Sequence, residues 1–255
     1  MKLFYSPPDR YFRAGLFPEP VLERVTIDDS PEWLRGTRIL FVCDVHLRRG
    51  VSDARLEAFV DGLIAKEADM LLLGGDYAES PRDCARFFRA MRRACFPMGA
   101  FAVPGNNDFR SLPELREGAA AAGIALLENE CRRISLPGGA LEIGGCEDHK
   151  YGSPRTRDLF SSDGAYRILL SHYPSPPECA CDLMLSGHTH AGQLNLLGLT
   201  PYSLGVEHRF RLMAVRGMHR FGGMRLFVGS GIGVSRFPLR VGAEPRITLL
   251  HFGIK

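Results

Sequence analysis

Long apolar runs are missing from this 255-residue chain. A membrane-spanning helix needs about 18 consecutive apolar residues, and stretches such as Met70 to Leu73 fall far short of that. No Gly-X-Y repeat, low-complexity tract or solenoid period occurs, which excludes fibrous and repeat architectures. The first ten residues hold no apolar core followed by small residues, so no secretory signal is expected. Seven cysteines make an odd count, and only Cys179 and Cys181 lie close together. A secreted disulfide framework is therefore not expected; a cytoplasmic setting fits, with the thiols as small core hydrophobes. Charge of one sign is scarce too: 32 Lys and Arg against 29 Asp and Glu leave +3, no argument for a nucleic-acid partner. Also absent are G-x-S-x-G, G-x-x-x-x-G-K-[ST] and a strand-to-helix G-x-G-x-x-G, and with them the local machinery of serine hydrolases, P-loop NTPases and dinucleotide enzymes.

What is present is a chain 45% apolar, ample for a large core and consistent with one domain over 1–255, with residues 1–36 as an extension packing on it. Strand-length apolar runs end repeatedly in Gly, Asp, Asn or His: Thr37 to Cys43, Met70 to Leu73, Ala100 to Val103, Tyr166 to Leu170 and Leu183 to Leu185. Such continuous runs read as strands buried on both faces. Helical patterns lie between the early ones. Ser52 caps an apolar face of Leu56, Phe59, Val60, Leu63 and Ile64; Ser80-Pro81 opens a second helix; Ser111 to Glu114 reads as a capping box for a third that stops at Gly123. The first half is thus β-α-β-α-β-α, and the second half has short strands with turn signals, which predicts a second sheet in an α/β fold.

The chemistry-bearing residues follow the strands: Asp44-x-His46, Gly75-Asp76, Gly105-Asn106-Asn107-Asp108, His172 and Gly187-His188-Thr189-His190. In open α/β sheets ligands bind outside the carboxyl ends of the strands, where all five clusters fall. Residues two apart in an extended segment share a side, so Asp44 with His46, and His188 with His190, can each serve one pocket. Glycines before Asp76, Asn106 and His188 let the backbone turn and approach closely. Two carboxylates, an amide oxygen and four imidazoles suit a pair of borderline divalent ions such as Mn, Fe, Zn, Co or Ni.

The series resembles the calcineurin-like metallophosphoesterase superfamily, whose pattern is D-x-H, G-D, G-N-H-[DE], H and G-H-x-H. Gly187 to Gln193 is similar to the G-H-T-H-G-G-Q of its bacterial phosphodiesterase branch, and Gly229 to Gly233 with Pro238 to Arg240 is similar to that branch's tail. The resemblance implies a two-sheet β-sandwich flanked by helices. It implies one metal on Asp44, His46, Asp76 and His190 and another on Asp76, Asn106, His172 and His188, with Asp76 bridging. Two divalent ions, Mn, Fe or Zn, would clamp a phosphoryl group and share a hydroxide for in-line attack. The expected substrate is a small-molecule phosphate ester or phosphoanhydride, with no defined protein partner.

One position departs from the pattern. Asn107 stands where the family has a histidine thought to protonate the leaving oxygen, paired with the following acid, here Asp108. An amide is no general acid, a function worth about 100- to 10,000-fold. Phosphate, aryl or anhydride leaving groups should therefore be preferred. Alternatives to a phosphodiesterase are a pyrophosphohydrolase of a lipid-linked or sugar-nucleotide substrate and a metal-binding scaffold without turnover. Arg48, Arg49, Gln193 and Arg240 are candidate substrate contacts; Asp148, His149 and Tyr77 fit rim or packing roles. The apolar segments Leu194 to Leu199, Leu3 to Tyr5, Tyr11-Phe12 and Leu16-Phe17 invite a reading of peripheral membrane contact, but none has a basic amphipathic pattern and core packing is the expectation.

Overall fold

The computed structural model describes residues 8–9, 11–161 and 164–253; the apolar segment Leu3 to Tyr5 lies outside them. The chain runs β1 (Phe12–Ala14), β2 (Val21–Ile27), β3 (Arg38–Val42), α1 (Asp53–Ile64), β4 (Met70–Leu73), α2 (Pro81–Met91), β5 (Ala100–Ala102), α3 (Leu112–Ala121) and β6 (Ile124–Leu126). It continues through β7 (Glu130–Leu136), β8 (Gly139–Gly145), β9 (Tyr166–Leu170), β10 (Leu183–Ser186), β11 (Gly217–Phe221), β12 (Met224–Val228), β13 (Leu239–Val241) and β14 (Arg246–Phe252).

Two mixed six-stranded sheets result, ordered β2-β14-β3-β4-β5-β6 and β11-β12-β10-β9-β8-β7, with β1 and β13 forming a separate antiparallel pair. The α/β sandwich flanked by helices is therefore the observed fold. Two strands come from the first 36 residues: β2 is an edge of the first sheet, parallel to β14. The period of two along each strand builds the core. In β3, Ile39 and Phe41 face the second sheet with Met70, Leu72, Ile143, Ile168 and Leu185. Their neighbours Leu40 and Val42 face the helices, against Val60, Leu63, Phe87, Phe88 and Leu115. Burial of each such side chain contributes about 1.5–3 kcal/mol, so the strand ends are held by packing on both faces.

The helix starts follow the sequence at two points of three. Ser52 accepts the Arg55 N–H at 3.2 Å and Ser80 that of Asp83 at 3.2 Å. Ser111 makes no cap bond, because a 3-10 turn over Asp108–Ser111 leads straight into α3 and occupies the place of the capping box. Cys43, Cys84, Cys146 and Cys181 are buried as expected of small hydrophobes, whereas Cys95 is exposed. Core packing fails for the Leu194 to Leu199 segment: Leu196, Leu197 and Leu199 are exposed, as is Phe12, while Phe17 is core. No helix among the described residues is long and apolar enough to cross a membrane.

Asp9 clamps the amino-terminal segment to the sandwich, accepting from Arg216 at 2.6 and 3.1 Å, Arg246 at 3.0 Å and the Glu244 N–H at 3.0 Å. Burial alone would raise its carboxyl, but the Arg216 and Glu244 hydrogen bonds and the two guanidinium charges outweigh this and hold it below the usual range. A depressed carboxyl stabilises the fold above its unfolded pKa and loses that contribution as pH falls. Asp9→Asn is expected to cost about 2 kcal/mol at pH 7, with the gap to wild type closing below about pH 4 in thermal melts.

Candidate metal centre

The carboxyl ends of β3, β4, β5, β9 and β10 meet at one edge of the sandwich, and each hands over to a loop that carries candidate donors. The loops are knitted by backbone hydrogen bonds: Asp44 N–H to Gly75 O at 2.9 Å, His46 N–H to Asp76 O at 3.0 Å, Gly187 N–H to His172 O at 3.0 Å. The Asp44 carboxylate reaches across to the second sheet, accepting the His188 N–H at 3.0 and 3.1 Å. Asp44, His46, Asp76, His188 and His190 all have φ between 45° and 70°. The pairs two apart therefore converge through left-handed backbone rather than the extended chain expected, a conformation that costs energy and gathers at functional sites. Close approach explains two glycines. A Cβ on Gly105 would lie 2.2 Å from Asp76 Oδ1, and one on Gly187 2.4 Å from Asp44 Oδ2.

Seven expected donors come together. Asp44, His46, Asp76 and His190 each offer one atom, all within 4.8 Å of one another, and all four are buried. His46 Nε2 lies 3.0 Å from His190 Nε2 and 3.4 Å from Asp76 Oδ2, and His190 Nε2 lies 3.3 Å from Asp44 Oδ1. On the other side of Asp76, His172 Nε2 is 3.4 Å from the same Oδ2, and His188 Nδ1 is 2.9 Å from Asn106 Oδ1. One oxygen of Asp76 thus stands between two donor groups.

This set fits divalent metal by its own chemistry. Two imidazole nitrogens face each other across 3.0 Å, and His172 Nε2 is buried without a hydrogen bond. Buried charged and polar groups in such number need a cation among them. Although burial opposes it, the Asp76 carboxylate, with Asp44, pushes His172 up to about 10. Burial, reinforced by His46 and Arg240 against the Asp44 carboxylate, pushes His190 down to about 4. Metal bound here would have to displace the proton that Asp76 favours on His172.

The far nitrogens of the imidazoles are held as well, and here the sequence was silent. His46 Nδ1 meets Glu79 Oε1 at 2.5 Å, His172 Nδ1 meets Gly74 O at 2.7 Å, and His188 Nε2 bonds Glu207. Such partners fix ring orientation and basicity, and their loss typically costs 10–100-fold in metal affinity. We expect Glu79→Ala to weaken metal binding by about tenfold or more, read by calorimetric titration of the chelator-treated protein. Glu207 carried one usable signal: it is the sole acid between 189 and 242.

Several expected roles change. Arg48 is held by Glu79 at 3.1 Å and by Val234 O, and so braces Glu79. Arg49 is exposed. Arg240 is wholly buried and spends its donors on the carbonyls of Gly233, Ser230 and Ala243 and on His190 Nδ1. Gln193 bonds Phe237 O, Leu239 O and Ser235. Neither retains a free donor for substrate; both pin the 229–243 segment to the centre. Asp108, expected beside Asn107 in catalysis, fastens the loop. It is fully buried, and its oxygens accept the N–H groups of Asp76, Tyr77 and Gly105 at 2.7–2.9 Å. Asn107 does face the centre, giving its backbone N–H to Asp76 Oδ1 at 2.8 Å and Nδ2 to Oδ2 at 2.6 Å. Tyr77 packs in the core on Phe87, and Asp148 caps the turn at Lys150 and Tyr151.

The comparisons agree with this geometry. The family model described as calcineurin-like phosphoesterase matches residues 37–192. Phosphodiesterase YaeI of Escherichia coli is 31% identical over 228 residues, covering 84% of this chain and 81% of its own. The uncharacterized metallophosphoesterase YkuE of Bacillus subtilis is 28% identical over 238 residues, covering 86% and 80%. Among solved structures, the Thermus thermophilus sulfate thiohydrolase SoxB shares the fold, with a TM-score of 0.50 and 15% identity over 88% of this chain and 58% of that one. The chain belongs to the calcineurin-like phosphoesterase family, which makes it a metal-dependent phosphoester hydrolase.

Proposed function

We propose that the protein is a phosphodiesterase working with two divalent ions, within one metallophosphoesterase domain spanning 1–255. The observation that carries this reading is Asp76 Oδ2, placed 3.4 Å from both His46 Nε2 and His172 Nε2. Asp44, His46, Asp76 and His190 would hold one ion, and Asp76, Asn106, His172 and His188 the other. Divalent metal, when bound, neutralises phosphoryl charge and lowers the pKa of water so that hydroxide is available at neutral pH. The chain's own residues do the rest. Glu79 and Glu207 hold His46 and His188 in ring orientation, Arg240 and Gln193 fasten the loop behind them, and Asn107 presents amide donors at the mouth. The phosphodiesterase name of the Escherichia coli relative supports a diester.

Asn107 favours one second reading, cleavage of a phosphoanhydride, whose phosphate leaves without needing a proton donor. Rates for bis-p-nitrophenyl phosphate, p-nitrophenyl phosphate and a nucleoside-diphosphate panel, with Mn, Fe or Zn, separate the two. Diester turnover above both others is expected. A lead for the anhydrides would shift the assignment, and bound metal with no turnover on any of them would overturn both.

A further inference from the structure

The segment that leaves the centre after His190 returns to it at Glu207. Leu194 bridges to Val241, and the chain then reverses at Leu197-Gly198, where the Leu196 and Leu199 backbones pair. At its far end Tyr202 donates to His188 O at 3.3 Å, the Glu207 carboxylate meets His188, and Phe210 packs on Tyr173, which stacks on His188 at 3.7 Å. Both ends of this arm are thus tied to the metal-site loop. Between them Leu196, Leu197, Leu199, Leu204 and Val206 point outward, Leu197 88% exposed and Leu204 75%. Five large exposed apolar side chains in eleven residues are unusual on a water-facing surface, where such residues occur singly.

The charge carried by the stretch that contains the arm is one-sided. From 189 to 242 arginine stands at 209, 211, 216, 220, 225, 236 and 240 against the single acid Glu207. Arg216 pairs with Asp9, Arg220 and Arg225 with Asp29, and Arg240 is buried. Arg209, Arg211 and Arg236 remain exposed, with no carboxylate partner among the described residues. Arg209 lies over the Phe210 ring, and Arg236 adjoins exposed Phe237, whose carbonyl Gln193 holds. Apolar side chains for the acyl boundary beside cations for phosphate headgroups are the two halves of interfacial binding.

We propose that the 194–211 arm docks the protein on an anionic lipid surface, with the mouth of the metal centre facing the headgroups. The occupant is the bilayer surface: the exposed side chains are aliphatic, and the exposed Arg209, Arg211 and Arg236 of the same stretch complement acidic headgroups.

Sedimentation with vesicles of equimolar phosphatidylglycerol and phosphatidylcholine tests this without reference to the reaction. Wild type is expected to co-sediment with them, far less with phosphatidylcholine alone, and less as ionic strength rises from about 0.1 M to about 0.5 M. The variant Leu197→Ser, Leu199→Ser, Leu204→Ser should lose about tenfold or more in partition coefficient, with its melting temperature and hydrolysis of soluble bis-p-nitrophenyl phosphate unchanged. Absence of wild-type binding, or equal binding by the variant, overturns the proposal. So does a wild-type dimer that the variant dissolves in the absence of vesicle binding, which would make the arm a self-association face. Failure of the phosphodiesterase reading would show in the substrate panel and leave the vesicle result intact.

Discussion

Asp76→Asn is expected to abolish metal-dependent hydrolysis in a protein that remains folded. The side chain keeps its shape, but one of its two oxygens becomes an amide that neither accepts a proton nor ligates. Both oxygens are in use: Oδ2 stands 3.4 Å from His46 and from His172, and Oδ1 accepts the Asn107 N–H at 2.8 Å. Removal of the shared charge should lower kcat by about 10³-fold or more, on the order of 4 kcal/mol at the transition state. Metal content should fall to one ion per chain or fewer. The metal-free protein supplies an independent check. There burial would raise the Asp76 carboxyl, but His172 and His46 hold it far below its usual range, while Asp76 holds His172 up to about 10. The carboxylate's share of stability is present above about pH 4 and lost as pH falls; the imidazolium's is present below about 6.5 and lost as pH rises through about 10. Chelator-treated wild type should therefore melt highest between those limits, and Asp76→Asn should flatten the profile. Full activity in a folded variant would remove the shared-carboxylate reading.

The donors were legible because chemistry and topology coincide at them. Each lies at the end of an apolar strand, and the strand runs alone place them at one edge. What surrounds the donors was not legible. Glu79 and Glu207 are single carboxylates with no spacing rule, and they reach His46 and His188 only because loops from different parts of the chain cross there. Arg240 looked available to substrate because sequence cannot show that four carbonyls and an imidazole would enclose it. The insertion of β14 between β2 and β3 is equally invisible, since it joins the end of the chain to its beginning. Local signals failed where tertiary contacts overrode them. Ser111 lost its capping box to the turn that the Asp108 carboxylate fastens, and the leucines after Gln193 point outward because the backbone reverses at Leu197-Gly198.

Asn107→His is expected to speed cleavage of alkyl diesters by about 100-fold and to leave bis-p-nitrophenyl phosphate almost unchanged. The argument is one of leaving groups: an alkoxide needs a proton as the bond to phosphorus breaks, whereas p-nitrophenolate does not. Asn107 is half-buried at the mouth and donates only hydrogen bonds, at present both to Asp76. Asp108 does not make up the deficit, because its oxygens accept three backbone N–H donors inside the loop. An imidazole at 107 would occupy the same rim with a transferable proton. Its gain on alkyl substrates should fade above about pH 6.5, where histidine loses that proton. Asn107→Ala is the companion measurement: it should slow aryl and alkyl diesters alike, since it deletes a positioning donor and no acid. Equal rates for Asn107→His and wild type on an alkyl diester would mean that the missing proton donor does not limit this enzyme, and the leaving-group preference inferred from Asn107 would fall with it.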